Sequence, residues 1–148
     1  MLTIPYSRFD LRSRLTPDEV AGRLLKVTAR RWWGVWSQAE ARFIGPITAT
    51  GFKLAYVPKG RNTYAPWLVG SVRPVSDGSE IDVRMTLHPV ALLTMAAFIS
   101  VPQYWALAAG EFNLWWLAAM LAFHVVMYYI GFVPDSLEAE LLIRQVAA

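Results

Sequence analysis

The chain has 148 residues, no cysteine, and 14 Lys plus Arg against 11 Asp plus Glu, for a net charge of +3. The lack of cysteine excludes disulfides, thiolate metal sites and Cys-linked lipid anchors. Nucleic acid is not the expected partner, because 13 of the 14 cationic residues precede Val90 and only Arg144 follows. That asymmetry is what the positive-inside rule produces in a membrane protein.

Residues 1–15 carry Arg8, Arg12 and Arg14 between single apolar residues and contain no apolar core, so no cleavable signal peptide is expected. Thr16, Pro17 and Glu19 then form a helix start. Thr16 is a capping residue, Pro17 suits the first helical position, and Glu19 stands where a capping box requires it. The predicted helix runs from Pro17 to about Trp33, with Val20, Leu24 and Trp32 on its apolar stripe and Arg23, Lys26 and Arg30 opposite.

From Arg42 onward the period changes to alternation. Residues 43–47, 52–57 and 64–75 read as three strands, with Pro66 and Pro74 marking the third as an edge or bulged strand. The fourth is the clearest, since Ile81, Val83, Met85 and Leu87 point one way and Glu80, Asp82, Arg84 and Thr86 the other. The turn signals Thr48-Ala49-Thr50-Gly51 and Ser76-Asp77-Gly78 predict an antiparallel meander.

Residues 90–109 and 114–133 are two apolar stretches without Asp, Glu, Lys or Arg, separated by Gly110-Glu111-Phe112-Asn113. Each is long enough, at about 1.5 Å per residue, to span a hydrocarbon core of about 30 Å. Both termini are expected on the cytoplasmic side of the membrane, with the short loop across it. Pro134-Asp135-Ser136 predicts a chain break that caps a last short helix. The expected fold is therefore an α+β membrane protein with an N-terminal helix, a four-stranded antiparallel meander, a two-helix transmembrane hairpin and a C-terminal cytoplasmic helix. Its divisions are 1–88, 89–133 and 134–148.

His124 is the sharpest candidate for function, being an imidazole near the middle of the second stretch, where polar groups are costly. Counting around the loop sets it at the depth of Ile99 and Ser100, with Gln103 one turn away. Three roles are open: a polar lock with Ser100 or Gln103, an axial ligand to a haem or chlorophyll-type ring, or contact with a protein partner. Arg23, Lys26, Arg30, Trp32, Trp33 and Trp36 form a second candidate, a basic helix and indole cluster at an anionic lipid surface. The alternative is a stripe packed on the sheet with a solvated basic face. Trp105, Trp115 and Trp116 read as an aromatic belt at the loop end. Lys59-Gly60-Arg61-Asn62 lacks the spacing of a phosphate loop, and Glu80 with Asp82 reads as a wet strand face. No paired nucleophile and base or two-carboxylate arrangement is present, so an enzyme is not expected.

Phe52-Lys53-Leu54, Arg61-Asn62-Thr63-Tyr64-Ala65-Pro66, Gly70 and Ile81-Asp82-Val83, followed by the hairpin, resemble a class of small uncharacterised bacterial inner-membrane proteins. In these a short β domain leads into two transmembrane helices. The resemblance implies that order of elements and no activity. The leading expectation is a non-catalytic accessory or assembly subunit of a larger inner-membrane complex, without a cofactor, bound to integral-membrane partners or to copies of itself. A tetrapyrrole-binding subunit using His124 and a lipid-surface sensor are the alternatives.

Overall fold

The computed structural model describes residues 6–29, 41–58, 64–111 and 114–148. It is a mixed α+β structure with one large sheet and three helices, two of them long and apolar enough to cross a membrane. In chain order the elements are β1 (Tyr6–Ser13), α1 (Pro17–Lys26), β2 (Thr28–Ala29), β3 (Phe43–Ile44), β4 (Ile47–Thr48), β5 (Gly51–Tyr56), β6 (Pro66–Val75), β7 (Gly78–Leu87), α2 (Pro89–Ala108) and α3 (Leu114–Ala147). The sheet runs β1-β7-β6-β5-β3-β2, with β4 paired to β5 off that path. All pairings are antiparallel except β2 with β3.

Several expectations are corrected. Among the described residues the sheet has seven strands rather than four, and the described chain opens on a strand rather than a helix. β1 alternates Arg8, Asp10 and Arg12 on one side with Phe9, Leu11 and Ser13 on the other. That period of two pairs with β7 from Tyr6 opposite Thr86 to Ser13 opposite Ser79. Helix α1 keeps its capping box at Thr16 and Glu19 but ends at Lys26 instead of Trp33. Past its C-cap at Val27, the Thr28 hydroxyl closes onto Leu24 O at 2.7 Å, and the chain turns into β2.

A further correction concerns Pro134. It stands inside a single helix of 34 residues, so the final segment is the direct continuation of the second apolar stretch. The ring leaves the carbonyl of Ile130 without its usual donor, at a cost of about 3 kcal/mol for an interior proline. Beyond it, Phe132, Ser136, Ala139, Ile143 and Ala147 recur every three or four residues, and all are buried. Burying Phe132 and Ile143 contributes roughly 1.5–3 kcal/mol each. The stripe therefore outweighs the proline, and the helix stays whole.

Position along the sheet follows from this packing. Phe132 sits at the end where β7 delivers Leu87 to the hairpin, while Ser13 Oγ, at the opposite end of β1, donates to Ala147 O. α3 thus runs back along the sheet against β1 and β6. Together with Val20 and Leu24 of α1 it covers one face, burying Phe9, Phe52, Leu54, Leu68, Ile81, Val83 and Met85. The other face is open and charged, with Arg8 bonded to Asp82 at 2.5 Å and 3.9 Å from Asp10. Pairs this exposed contribute no more than about 1 kcal/mol each.

Pro66 and Pro74 do not mark an edge strand, because β6 lies between β5 and β7. Both fall outside Trp67–Ser71, the part of β6 paired with β5, so their missing N–H groups leave that ladder intact. At Gly70 a Cβ would stand 2.1 Å from the Phe52 ring, so the glycine is what lets that ring lie across β6.

Ile143→Ala is expected to lower unfolding stability by about 2–5 kcal/mol, read from the urea midpoint of the full chain in mild detergent. Leu141→Ala, on the exposed side of the same turn, is expected to stay within about 0.5 kcal/mol.

Candidate functional site

The hairpin meets the sheet where β7 ends. His88 caps α2, its Nδ1 accepting from Val90 N at 3.2 Å, and its ring lies edge-on to Trp67 at 5.1 Å between centroids. Around this junction two hollows share Ala91, whose small side chain leaves room on both sides. One, of about 320 Å³, is lined by Ala55, Tyr56, Ala65, Pro66, His88 and Val90 beside Ala91. The other, of about 170 Å³, is lined by Tyr64, Ala91, Thr94, Met95, Phe98, Phe123 and His124.

His124 is buried, at 6% exposure, although most of the apolar side chains around it on the hairpin are exposed. Phe98 of α2 faces it with ring centroids 6.4 Å apart, and Phe123 packs edge-on at 5.5 Å. Phe98 is the neighbour of Ile99, which the counted register sets at the depth of His124. His124 Nδ1 lies 2.8 Å from Met120 O. A carbonyl only accepts, so Nδ1 is the donor in this contact, and in the neutral tautomer that fits it Nε2 keeps the lone pair.

Ser100 and His124, two members of the expected polar lock, make their hydrogen bonds separately. Ser100 Oγ donates to Ala96 O at 2.6 Å, back along its own helix, while His124 bonds to Met120. Gln103 Oε1 is buried without a partner among the described residues. Trp105, Trp115 and Trp116 are all exposed at the loop end of the hairpin. Arg23 reaches Val146 O at 3.4 Å, near the end of α3 farthest from the hairpin, and Lys26 is exposed in the last turn of α1. Arg30, Trp32, Trp33, Trp36 and the Lys59-Gly60-Arg61-Asn62 loop lie outside the described residues.

Tyr56 was not singled out by its sequence context, yet it anchors the junction. It is the last residue of β5, 3% exposed, edge-on to Phe43 at 5.9 Å. Burial pushes its phenol well above the usual 10.0, and the carboxylates of Glu138 and Asp135 add to the shift while Arg42 opposes it. The Glu138 carboxylate lies close enough to act on the hydroxyl both as a hydrogen-bond acceptor and by charge, although that contact falls short of good hydrogen-bond geometry. Burial also raises the phenol of Tyr64. Among the described residues, no three His, Asp or Glu side chains gather to hold a metal ion.

Comparison with protein-family models, curated proteins and solved structures finds no match to this chain. The reading of the site therefore rests on its own geometry.

Because the folded phenol of Tyr56 keeps its proton at a pH where the unfolded one ionises, the unfolded state binds fewer protons there. Stability attributable to this group is complete below about pH 10 and falls as pH rises above it. Tyr56→Phe is expected to flatten that alkaline loss and to change stability at neutral pH by no more than about 1 kcal/mol. Urea titrations of both proteins at pH 8 and about pH 10.5 check this.

Proposed function

We propose that this protein is a non-catalytic accessory or assembly subunit of a larger bacterial inner-membrane complex. In this reading α2 and the first half of α3 cross the bilayer, and the sheet and both termini stand on the cytoplasmic side. The observation that carries it is the outward-facing hairpin. On α2 only Ala91 is fully buried, and Leu93, Phe98, Tyr104, Leu107, Ile130 and most of their neighbours are exposed. Two helices enclose no pathway, so nearly all of this surface is left for lipid or for other helices.

Two further features fit a docking role. Ala118, Ala119 and Ala122 are exposed at helical spacing on α3, away from the hairpin's own seam, and small residues let a neighbouring helix approach closely. The unbroken α3 fixes the hairpin to the sheet, so a partner gripping one end constrains the other. The open charged face and the eight-residue edge strand β1 supply a polar surface for soluble parts of the complex.

The geometry supports the alternatives less well. A hollow of about 170 Å³ beside His124 is smaller than the roughly 300–1,000 Å³ of pockets for drug-sized ligands, and a tetrapyrrole is larger than most of these. For a lipid-surface sensor, Arg23 is committed to Val146 O. That carbonyl lies 14 residues beyond Phe132, or about 21 Å along the helix.

Extraction in mild detergent is expected to co-purify at least one integral-membrane protein in fixed proportion. Joint substitution of Ala118→Leu and Ala122→Leu is expected to weaken that association about ten-fold, the equivalent of ~1.4 kcal/mol. Recovery of the free chain alone under all gentle conditions contradicts the proposal.

A further inference from the structure

We infer that the hollow between α2 and α3 is a binding site for a single hydroxylated aromatic ring, held by a hydrogen bond to His124 Nε2. Three independent features meet there: size, wall chemistry and one unused acceptor. This inference does not depend on the chain belonging to a complex.

Size comes first. The hollow holds about 170 Å³, and an engineered apolar protein cavity of about 150 Å³ takes up benzene. One six-membered ring fits within it. The walls suit a ring as well. Phe98 and Phe123 lie on either side of His124, with Met95 and Tyr64 beside them. Aromatic pairs with centroids 4.5–7 Å apart gain from edge-to-face and offset contacts, and a thioether adds favourable contact with a ring.

The acceptor decides the ligand's substituent. Met120 O holds the Nδ1 proton, so the neutral His124 ring offers a lone pair at Nε2, which has no protein partner among the described residues. The imidazole as a whole is more than nine-tenths buried. Nε2 itself stays within reach of a small molecule, since it is not among the enclosed side-chain atoms that lack a partner. In apolar surroundings an unpaired acceptor is costly, and a ligand that brings one O–H removes that cost. An unsubstituted ring fills the space without satisfying the nitrogen, and a carbonyl-bearing ring presents an acceptor to an acceptor. The hydroxylated head of a membrane-soluble phenol or quinol has the required form, and no redox step is needed for binding.

The chain has only two histidines, so ¹⁵N-labelled histidine in the full protein, in mild detergent, gives a spectrum that a His88→Gln variant assigns. Phenol is the probe, with benzene and 1-hexanol as controls. Phenol is expected to move the His124 Nε2 resonance saturably and to bind roughly three- to ten-fold more tightly than benzene, as one neutral hydrogen bond provides. Thr94 is exposed at the mouth of the hollow, and Thr94→Phe is expected to abolish the shift while His124 stays in place. The inference is overturned if phenol gives no saturable shift. It is equally overturned if Thr94→Phe leaves the shift intact, or if 1-hexanol matches phenol in affinity, which would mark a site for an alkyl chain.

Discussion

Phe132, Ser136, Ala139, Ile143 and Ala147 form one stripe of α3, and the rest of the molecule depends on that stripe staying seated on the sheet. It carries α3 through Pro134 without a break, because burial beyond the proline outweighs the lost hydrogen bond. It covers the apolar side of β1, β7, β6 and β5, which α1 alone is too short to cover with ten residues. It also fixes the hairpin relative to the sheet, because the helix that starts at Leu114 is the helix that ends beside Ser13. A hinge at Pro134 would leave two independent bodies and a bare sheet.

The junction inherits its form from that constraint. With α3 held at Phe132 and α2 held by the His88 cap and by β7, the two helices leave the sheet at fixed points. Ala91 is too small to fill the gap between them, so hollows remain on both sides of it. Tyr56 closes the sheet side of the junction and His124 closes the hairpin side. Among the described residues, His124 Nε2 has no protein partner and Tyr56 Oη has none of good geometry. For Tyr56 the nearby carboxylates make ionisation harder, which suits a structural phenol. For His124 the Met120 carbonyl fixes one tautomer, which leaves a defined acceptor rather than an ambiguous one.

Much of this was legible in the chain. The alternation of Ile81, Val83, Met85 and Leu87 against Glu80, Asp82, Arg84 and Thr86 gave β7 its two faces, and the capping residues gave the start of α1. The two uncharged stretches gave the helices long enough to cross a bilayer. β1 carried an equally regular alternation, but its arginines drew attention to topology instead of to the period of two. Pro134 misled because proline, Asp and Ser in succession read locally as a stop and a cap. What overrides that local preference is packing against strands that lie more than 50 residues earlier in the chain, which no local pattern contains. The hollow beside His124 was illegible for the same reason. His124 itself stood out, but Tyr64, Ala91 and Met95 are ordinary residues until the fold brings them to it.

The continuity of α3 is open to direct measurement. Because the chain has no cysteine, Leu121→Cys and Leu141→Cys place two spin labels at exposed positions of α3 on either side of Pro134. Twenty residues of unbroken helix separate their Cα atoms by about 30 Å. Pulsed electron paramagnetic resonance on the doubly labelled protein in lipid nanodiscs is expected to give one narrow distance distribution near that value. A broad distribution, or a main peak shorter by ~10 Å or more as a helix broken and folded back at Pro134 would give, contradicts the account.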